Sequence, residues 1–374
     1  MRWDKFCSFR LQWVCVIVGI NRVTSRNYGK PMCIRLRSTI WTGTFLLACI
    51  VSDLERLHAV ESDLRSRGDG KVVEISEDGV PVLVYQIQEN SLDGAWPRAG
   101  YVHPLYDLDG KVFTEDFPED HRHHRGVFWA WHHLSVGDLI LGDPWLCKDF
   151  VRECTQTTTG AVQRDGQECV GIDLITLWKS PLLKNLNGEM LPVVKEETHI
   201  VVHRKTEHQR SVDFDISLLA MLQNVRLGGS DDAKGYGGFS PRIKLNSKQV
   251  FRFGSGEVEP TRTAVQGGAW VDISDAQRGL TIMSHPGNPV VNRGAGKTES
   301  GNEKHKLGDS VERSSPLWIL RRKNSMQNVA YPGRKPVSLS AKTPMRLRYR
   351  LVIHDGTVDP ARLQGIYKRY AGEK

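Results

Sequence analysis

The chain is 374 residues long, 39% hydrophobic and 25% charged, a composition that rules out a largely disordered protein and is long enough to close a substantial core. The formal charge of +8 invites a nucleic-acid reading, but residues 1 to 59 hold nine Lys and Arg against three Asp and Glu, leaving 42 basic and 40 acidic side chains for the rest. So balanced a remainder has no electrostatic footprint for DNA or RNA, and no nucleic-acid partner is expected.

The front segment has the layout of a targeting sequence. Arg35 and Arg37 precede the apolar run from Thr39 to Val51, and polar residues then lead to Leu57, His58 and Ala59, a small-residue cleavage end. This layout makes Met32 the expected start, residues 1 to 59 a leader, residues 60 to 71 a linker, and the mature protein an exported one, periplasmic or extracellular. The apolar run is too short for a membrane span, so none is expected in the mature chain. Leu46-Leu47-Ala48-Cys49 also has the form of a lipidation signal with Cys49 as anchor, although Ile50 and Val51 are unusual after it. Beyond the leader stand Cys147, Cys154 and Cys169. Without a CxxC spacing they make no zinc site, and an oxidising compartment permits one disulfide among them with one thiol left over.

From Val72 the chain breaks into short β-rich runs separated by Gly, Pro, Asn and Asp, the texture of one all-β domain over 72–374 built as a large antiparallel two-sheet sandwich with few short helices. Val72 to Ile75 and Val80 to Gln88 flank Glu77-Asp78-Gly79, a hairpin signal. Further strands are expected at Gly171 to Trp178, Glu196 to His203, Ser211 to Leu222, Gln249 to Phe253, Trp270 to Ser274, Leu280 to Ser284, Trp318 to Arg322 and Met345 to His354. In the Ser211 run Val212, Phe214, Ile216 and Leu218 point one way while Asp213, Asp215 and Ser217 point the other. Arg346 to Ile353 alternates basic and apolar residues, as a half-buried antiparallel strand does. Two stretches lack pattern: Arg98 to Asp120, and the polar Asn292 to Ser315, read as a mobile surface loop. Pro360 to Tyr370 is a candidate helix.

Chemistry concentrates in Tyr101 to His133, which carries six of the thirteen histidines with Asp107, Asp109, Glu115, Asp116, Glu119 and Asp120 beside them. If Asp120 to Gly126 is extended, His121, His123 and Arg125 share one face, and Asp120, Arg122 and His124 the other. An HxH pair, His121 and His123, then has the spacing to chelate a divalent transition metal, with His103, His124 or His285 as third ligand. The same imidazoles can instead move protons without a metal, since their ordinary pKa lies near neutrality. The aromatic run Phe128, Trp129 and Trp131 suits a platform for a sugar ring and equally suits core packing. Glu196, Glu197 and His199 open a strand where a carboxylate can act as a base. Tyr236 to Arg242 is a glycine-relaxed turn delivering Arg242, which can clamp a carboxylate or sugar hydroxyls. His285 ends a strand in a rigid turn that also carries Asn288, and His354-Asp355-Gly356 closes the last strong strand.

Four ordered motifs, HPLYDLDGKVFTEDFPEDHRHHRGVFWAW, KGYGGFSPR, MSHPGNP and LRYRLVIHDG, resemble a bacterial family labelled methane oxygenase PmoA over about residues 72 to 372. The label implies methane oxidation, whereas membrane methane monooxygenases are built from transmembrane helices, so that activity is not expected of this chain. Strand order and site layout look like the galactose mutarotase-like supersandwich, a fold of carbohydrate-active proteins in which a histidine protonates the ring oxygen and a glutamate takes the anomeric proton. By that resemblance His123 or His124, with His199 or His285, are acid candidates and Glu197 the base; Asp355 is the nearest carboxylate to the place of the family's C-terminal glutamate. The expected site is a groove binding a saccharide through His103, His121, His123, His124, Arg125, Trp129, Arg242, His285 and Asn288 and working by acid/base chemistry without an organic cofactor. A metal-dependent oxidoreductase or hydrolase and a non-catalytic glycan-binding module are the alternatives. Oligomeric state is not legible.

Overall fold

The computed structural model describes residues 63–244, 246, 248–291, 315–323 and 325–372. The leader, the Met32 start, the Cys49 anchor and all of the 292–315 loop but its last residue lie outside the described residues. No helix among those described is long and apolar enough to cross a membrane.

The chain forms two nine-stranded antiparallel sheets. In spatial order the first runs Leu64–Gly68, Val72–Glu77, Val80–Gln86, Tyr101–Leu105, Val127–Trp131, Gly237–Pro241, Asn328–Ala330, Leu317–Ile319, Val265–Gln266. The second runs Val151–Arg164, Gln167–Lys184, Met190–Val202, Gln209–Ala220, Met345–Asp355, Arg278–Ser284, Trp270–Ser274, Val250–Phe253, Gly256–Glu257. This is the expected all-β sandwich. The hairpin between Val72–Glu77 and Val80–Gln86 turns on Asp78 and Gly79, both with positive φ (52° and 79°), the geometry a two-residue hairpin loop demands.

The sheets meet through one shared core in which Trp129, Trp131 and Phe239 of the first sheet face Trp178, Phe214 and Tyr349 of the second. Phe239 and Tyr349 stack with centroids 4.4 Å apart. Gln209–Ala220 alternates as its sequence dictates: Val212, Phe214, Ile216 and Leu218 are buried, while Asp213 and Asp215 point to the outer face and pair with Arg350 and Arg346 of the adjacent strand.

Three expectations need correction. Leu64–Gly68 falls in the stretch read as linker yet pairs with Val72–Glu77 as an edge strand. Val151–Arg164 was hidden by its composition: mostly Thr, Gln and charged residues, largely exposed, it shows no apolar alternation, and it is held in line by pairing with the longer Gln167–Lys184. Met345–Asp355 is more than half buried, because its outer face is partly covered. The C-terminal helix Pro360–Ala371, N-capped by Asp359 accepting from Ala361 N, lays Leu363, Ile366 and Tyr367 over Val352, Met283 and Trp270. The three cysteines are all free thiols, with Cys169 buried.

Candidate functional site

Residues Pro118 to His124 do not form a strand. Two successive turns, closed by His121 N donating to Pro118 O (3.2 Å) and His124 N donating to His121 O (2.9 Å), replace the expected extended run. Alternation therefore fails, and instead of splitting between two faces the three imidazoles are drawn together: His121 stacks on His124 at 4.8 Å, and His123 meets His124 edge-on at 4.5 Å and His121 at 5.7 Å.

The turn is tied down at its exit. Gly126 N donates to Glu115 O (2.8 Å), Arg242 N to Gly126 O (2.7 Å) and Glu115 N to Arg242 O (3.0 Å), knitting three distant segments into one backbone clasp. Gly126 is obligatory there: its φ is +52°, and a Cβ would lie 2.0 Å from Val102 O. The clasp fixes the starting points of two side chains, Glu115 and Arg242, that complete the site.

Arg242 is 3% exposed, and Glu115, Asp120 and His124 are among its partners. Its Nε donates to Glu115 Oε2 (2.8 Å), Nη2 to Asp120 Oδ1 (2.6 Å) and Nη1 to His124 Nδ1 (3.2 Å). Since a guanidinium can only donate, Nδ1 of His124 accepts and the ring proton sits on Nε2. Asp120 bridges two groups, its Oδ2 lying 2.9 Å from His121 Nδ1. Burial alone would raise the Asp120 carboxyl, but hydrogen bonds from His121 and Arg242 outweigh it and hold it below the ordinary carboxylate value. Burial, with the Arg98 guanidinium and the His121 ring as neighbours, pushes His123 down to about 4. His124 is held well below its usual value by burial and by His123 and Arg242. Both rings are neutral at pH 7.

The wall behind them is aromatic. In Val127–Trp131 the odd residues enter the sandwich core, while Phe128 and Ala130 face the other side and pack with Trp145, Tyr101 and Met326. Trp145 meets His124 edge-on at 5.8 Å, stacks on His132 at 5.3 Å and tilts against Tyr236 at 5.5 Å. His132 is braced by Asp143 (Nδ1 to Oδ2, 2.9 Å).

The expected site residues separate into three groups. His121, His123, His124 and Arg242 come together. His103 and Arg125 lie beside them on the first sheet with other engagements. His103 Nδ1 is 2.9 Å from Thr114 Oγ1. Arg125 is fully buried and directs its five N–H donors at Asp116, Tyr101 Oη and the carbonyls of Asn90 and Trp96, which leaves none for a ligand. Trp129 is a core residue, 0% exposed, with its indole N–H on Glu196 Oε1 (3.0 Å), so the packing alternative holds over the platform one. The remaining expected residues belong to the second sheet. Glu197 points outward and pairs with Lys195 (2.6 Å), while its neighbour Glu196 is turned into the core. His199 pairs with Asp173 (2.5 Å). Asn288 clamps the backbone of Arg348 through both amide atoms (2.7 Å each). His285 follows Arg278–Ser284 and takes a hydrogen bond from Gly287 N (2.9 Å). Asp355 ends the strand Met345–Asp355, and its carboxylate lies 3.7 Å from His208. As for a metal, among the described residues no three His, Cys, Asp or Glu side chains are placed to hold an ion.

Asp120, named beside the histidines but not among the expected groove residues, has a bridging part that the sequence did not assign; a carboxylate immediately before HRHH was the available signal. Trp145 gave none, since only the fold brings it to His124.

A family model described as a family of unknown function, DUF6807, matches residues 72–368. No curated protein matches. Among solved structures, a Salmonella typhimurium protein, YeaD, assigned by name as a mutarotase, is similar at 9% identity and a TM-score of 0.35, over 81% of this chain and 99% of that one; at those values the likeness says nothing of activity. The resemblance to the methane-oxygenase-labelled family rests on the four sequence motifs alone. By the match over residues 72–368, the chain belongs to DUF6807, a family whose function is unknown.

Proposed function

We propose that the cluster of Asp120, His121, His123, His124 and Arg242 is the working site of an exported carbohydrate-active protein that performs acid/base chemistry on a saccharide. The observation that carries the reading is the shared carboxylate of Asp120, which takes His121 Nδ1 on one oxygen and Arg242 Nη2 on the other. An imidazole anchored at Nδ1 by a carboxylate keeps Nε2 for a reacting proton, and the carboxylate fixes both its orientation and its tautomer. His121 is 42% exposed at the side chain, so a ligand can reach it. His123 and His124, neutral and partly enclosed, can bind hydroxyls as donors and acceptors without adding charge. Tyr236, half-buried and tilted against Trp145, offers a ring for the apolar face of a sugar. His285 and Glu197, borne by the other sheet, have no part in this reading.

The test is a panel of neutral and acidic mono- and oligosaccharides followed by NMR, comparing the parent protein with His121→Ala and Asp120→Asn. The expected result is a sugar whose anomeric or ring signals change with time in the parent, with the rate reduced by about a hundredfold or more in His121→Ala. Binding without conversion would mean a glycan-binding module, and no binding at all would overturn the saccharide reading. Stoichiometric copper, zinc or iron in the purified protein, lost in both His121→Ala and His123→Ala, would favour the metal-dependent alternative.

A further inference from the structure

On the outer face of the second sheet a cavity of about 320 Å³ lies where Met190–Val202, Gln209–Ala220 and Met345–Asp355 meet the C-terminal helix. Five arginines and three aspartates line it. Two of the arginines are neutralised in place, Arg346 by Asp215 and Arg350 by Asp213. Arg164, Arg348 and Arg369 line the same cavity without an ion pair among the described residues. Arg348 is the telling member. Its backbone is clamped by Asn288, whose Oδ1 accepts from Arg348 N at 2.7 Å, and its guanidinium lies over Gly287, where a Cβ would come within 2.3 Å of Nη2. Among the described residues its Nε is buried with no hydrogen-bond partner, and so is the hydroxyl of Tyr370, which also lines the cavity.

Two buried, unsatisfied polar groups in one recess are expensive unless something completes them, since each forgoes water without a protein partner. A neutral ligand could take the hydrogen bonds but would leave the surplus of guanidinium charge uncompensated. We propose that this cavity is a binding site for a small oxyanion, the carboxylate, sulfate or phosphate group of a ligand, held by Arg348 and the Tyr370 hydroxyl with Arg164 and Arg369 at the rim. Planar guanidinium donors match a carboxylate or phosphate edge in pairs, which gives orientation as well as affinity. Gly287 makes room for the Arg348 guanidinium; a side chain there would displace it. The site stands apart from the His121 cluster, which is carried by the first sheet.

The experiment is isothermal titration of the full chain with inorganic phosphate and with glucuronate, using glucose as the uncharged control and sodium chloride to hold ionic strength. Saturable binding of phosphate, glucuronate or both is expected, with none for glucose, and Arg348→Ala should weaken it by about tenfold or more. Arg369→Ala, exposed on the helix and without risk to the fold, should weaken it by a smaller factor, and Tyr370→Phe by an amount between the two. Glucuronate alone would identify an acidic sugar as the source of the anion, phosphate alone a phosphate ester. The proposal is overturned if neither anion saturates, or if Arg348→Ala binds as well as the parent. His121→Ala should leave the phosphate titration unchanged, which separates this site from the proposed saccharide chemistry of the other.

Discussion

Arg242 and Asp120 stand 122 positions apart in the chain and meet with Nη2 2.6 Å from Oδ1. This contact joins the end of the strand Gly237–Pro241, where the sequence suggested a turn, to the histidine turn, and it makes Arg242 the organiser of the cluster, since the same guanidinium holds Glu115 and His124.

Replacing that guanidinium should therefore cost both stability and order. Arg242→Ala leaves two carboxylates without their counter-ion, but Asp120 and Glu115 are about a third exposed, 31% and 32% at the side chain, so water recovers part of the loss. A destabilisation of about 1–3 kcal/mol is expected, below the figure for a fully buried pair. Arg242→Lys keeps the charge but cannot serve three directions from one planar fork, and should recover less than half of it. Urea midpoints for the three proteins measure this; a Lys variant as stable as the parent would mean that charge alone matters.

The neutral imidazoles set a pH dependence. His123 titrates at about 4 when folded against an ordinary 6.5, so between those values the unfolded chain binds the proton and the folded one does not. Stability is then fully present above pH 6.5 and falls as pH drops towards 4, by up to about 3 kcal/mol for this group at roughly 1.4 kcal/mol per unit. His124 adds in the same direction. Denaturation midpoints at pH 7.5, 6 and 5 should fall in that order, and His123→Gln should flatten the slope. A midpoint that rose on acidification would contradict the burial of these rings.

Two adjacent carboxylates should behave oppositely. Glu196 is 1% exposed and accepts from both indoles, Trp129 Nε1 (3.0 Å) and Trp178 Nε1 (2.8 Å), and from Arg152 Nη2 (2.9 Å). Glu196→Ala removes the acceptor of these three groups and of Thr198 Oγ1 (2.9 Å) in the core and should cost about 3–5 kcal/mol or prevent folding. Glu197, 46% exposed and paired with Lys195, should tolerate Ala within about 1 kcal/mol. Thermal denaturation of the pair decides it, and equal losses would place the strand in the opposite register.

That contrast also shows what the chain could disclose by itself. Alternation located Gln209–Ala220 and its neighbours because apolar residues recur every second position there, and it gave the inner face correctly. It could not say which of Glu196 and Glu197 turned inward, because the choice depends on indoles contributed by two other strands. At Asp120 to Gly126 the residue types pointed to a candidate site while its geometry stayed hidden: a polar run carries no period, and the turns that gather His121, His123 and His124 are set by backbone hydrogen bonds to Pro118 and His121. His285 lies just beyond Arg278–Ser284 of the second sheet, apart from the three clustered imidazoles, a fact of topology that spacing does not encode.

Gly126 gives the sharpest test of the clasp. With φ at +52° and Val102 O only 2.0 Å from any Cβ, Gly126→Ala must both strain its own backbone and push apart Tyr101–Leu105 and Val127–Trp131, which pair at Val102 and Val127. Left-handed backbone alone costs an alanine about 1–2 kcal/mol, and the overlap with a carbonyl adds to it, so a loss above about 3 kcal/mol or failure to accumulate as folded protein is expected. Gly79, at φ +79° with nothing within 4 Å of a Cβ, separates the two contributions: Gly79→Ala should lose only about the first. If the two variants unfolded at the same denaturant concentration, close packing behind the histidine turn would not be what holds it, and the placement of Arg242 against Asp120 would have to rest on the side chains alone.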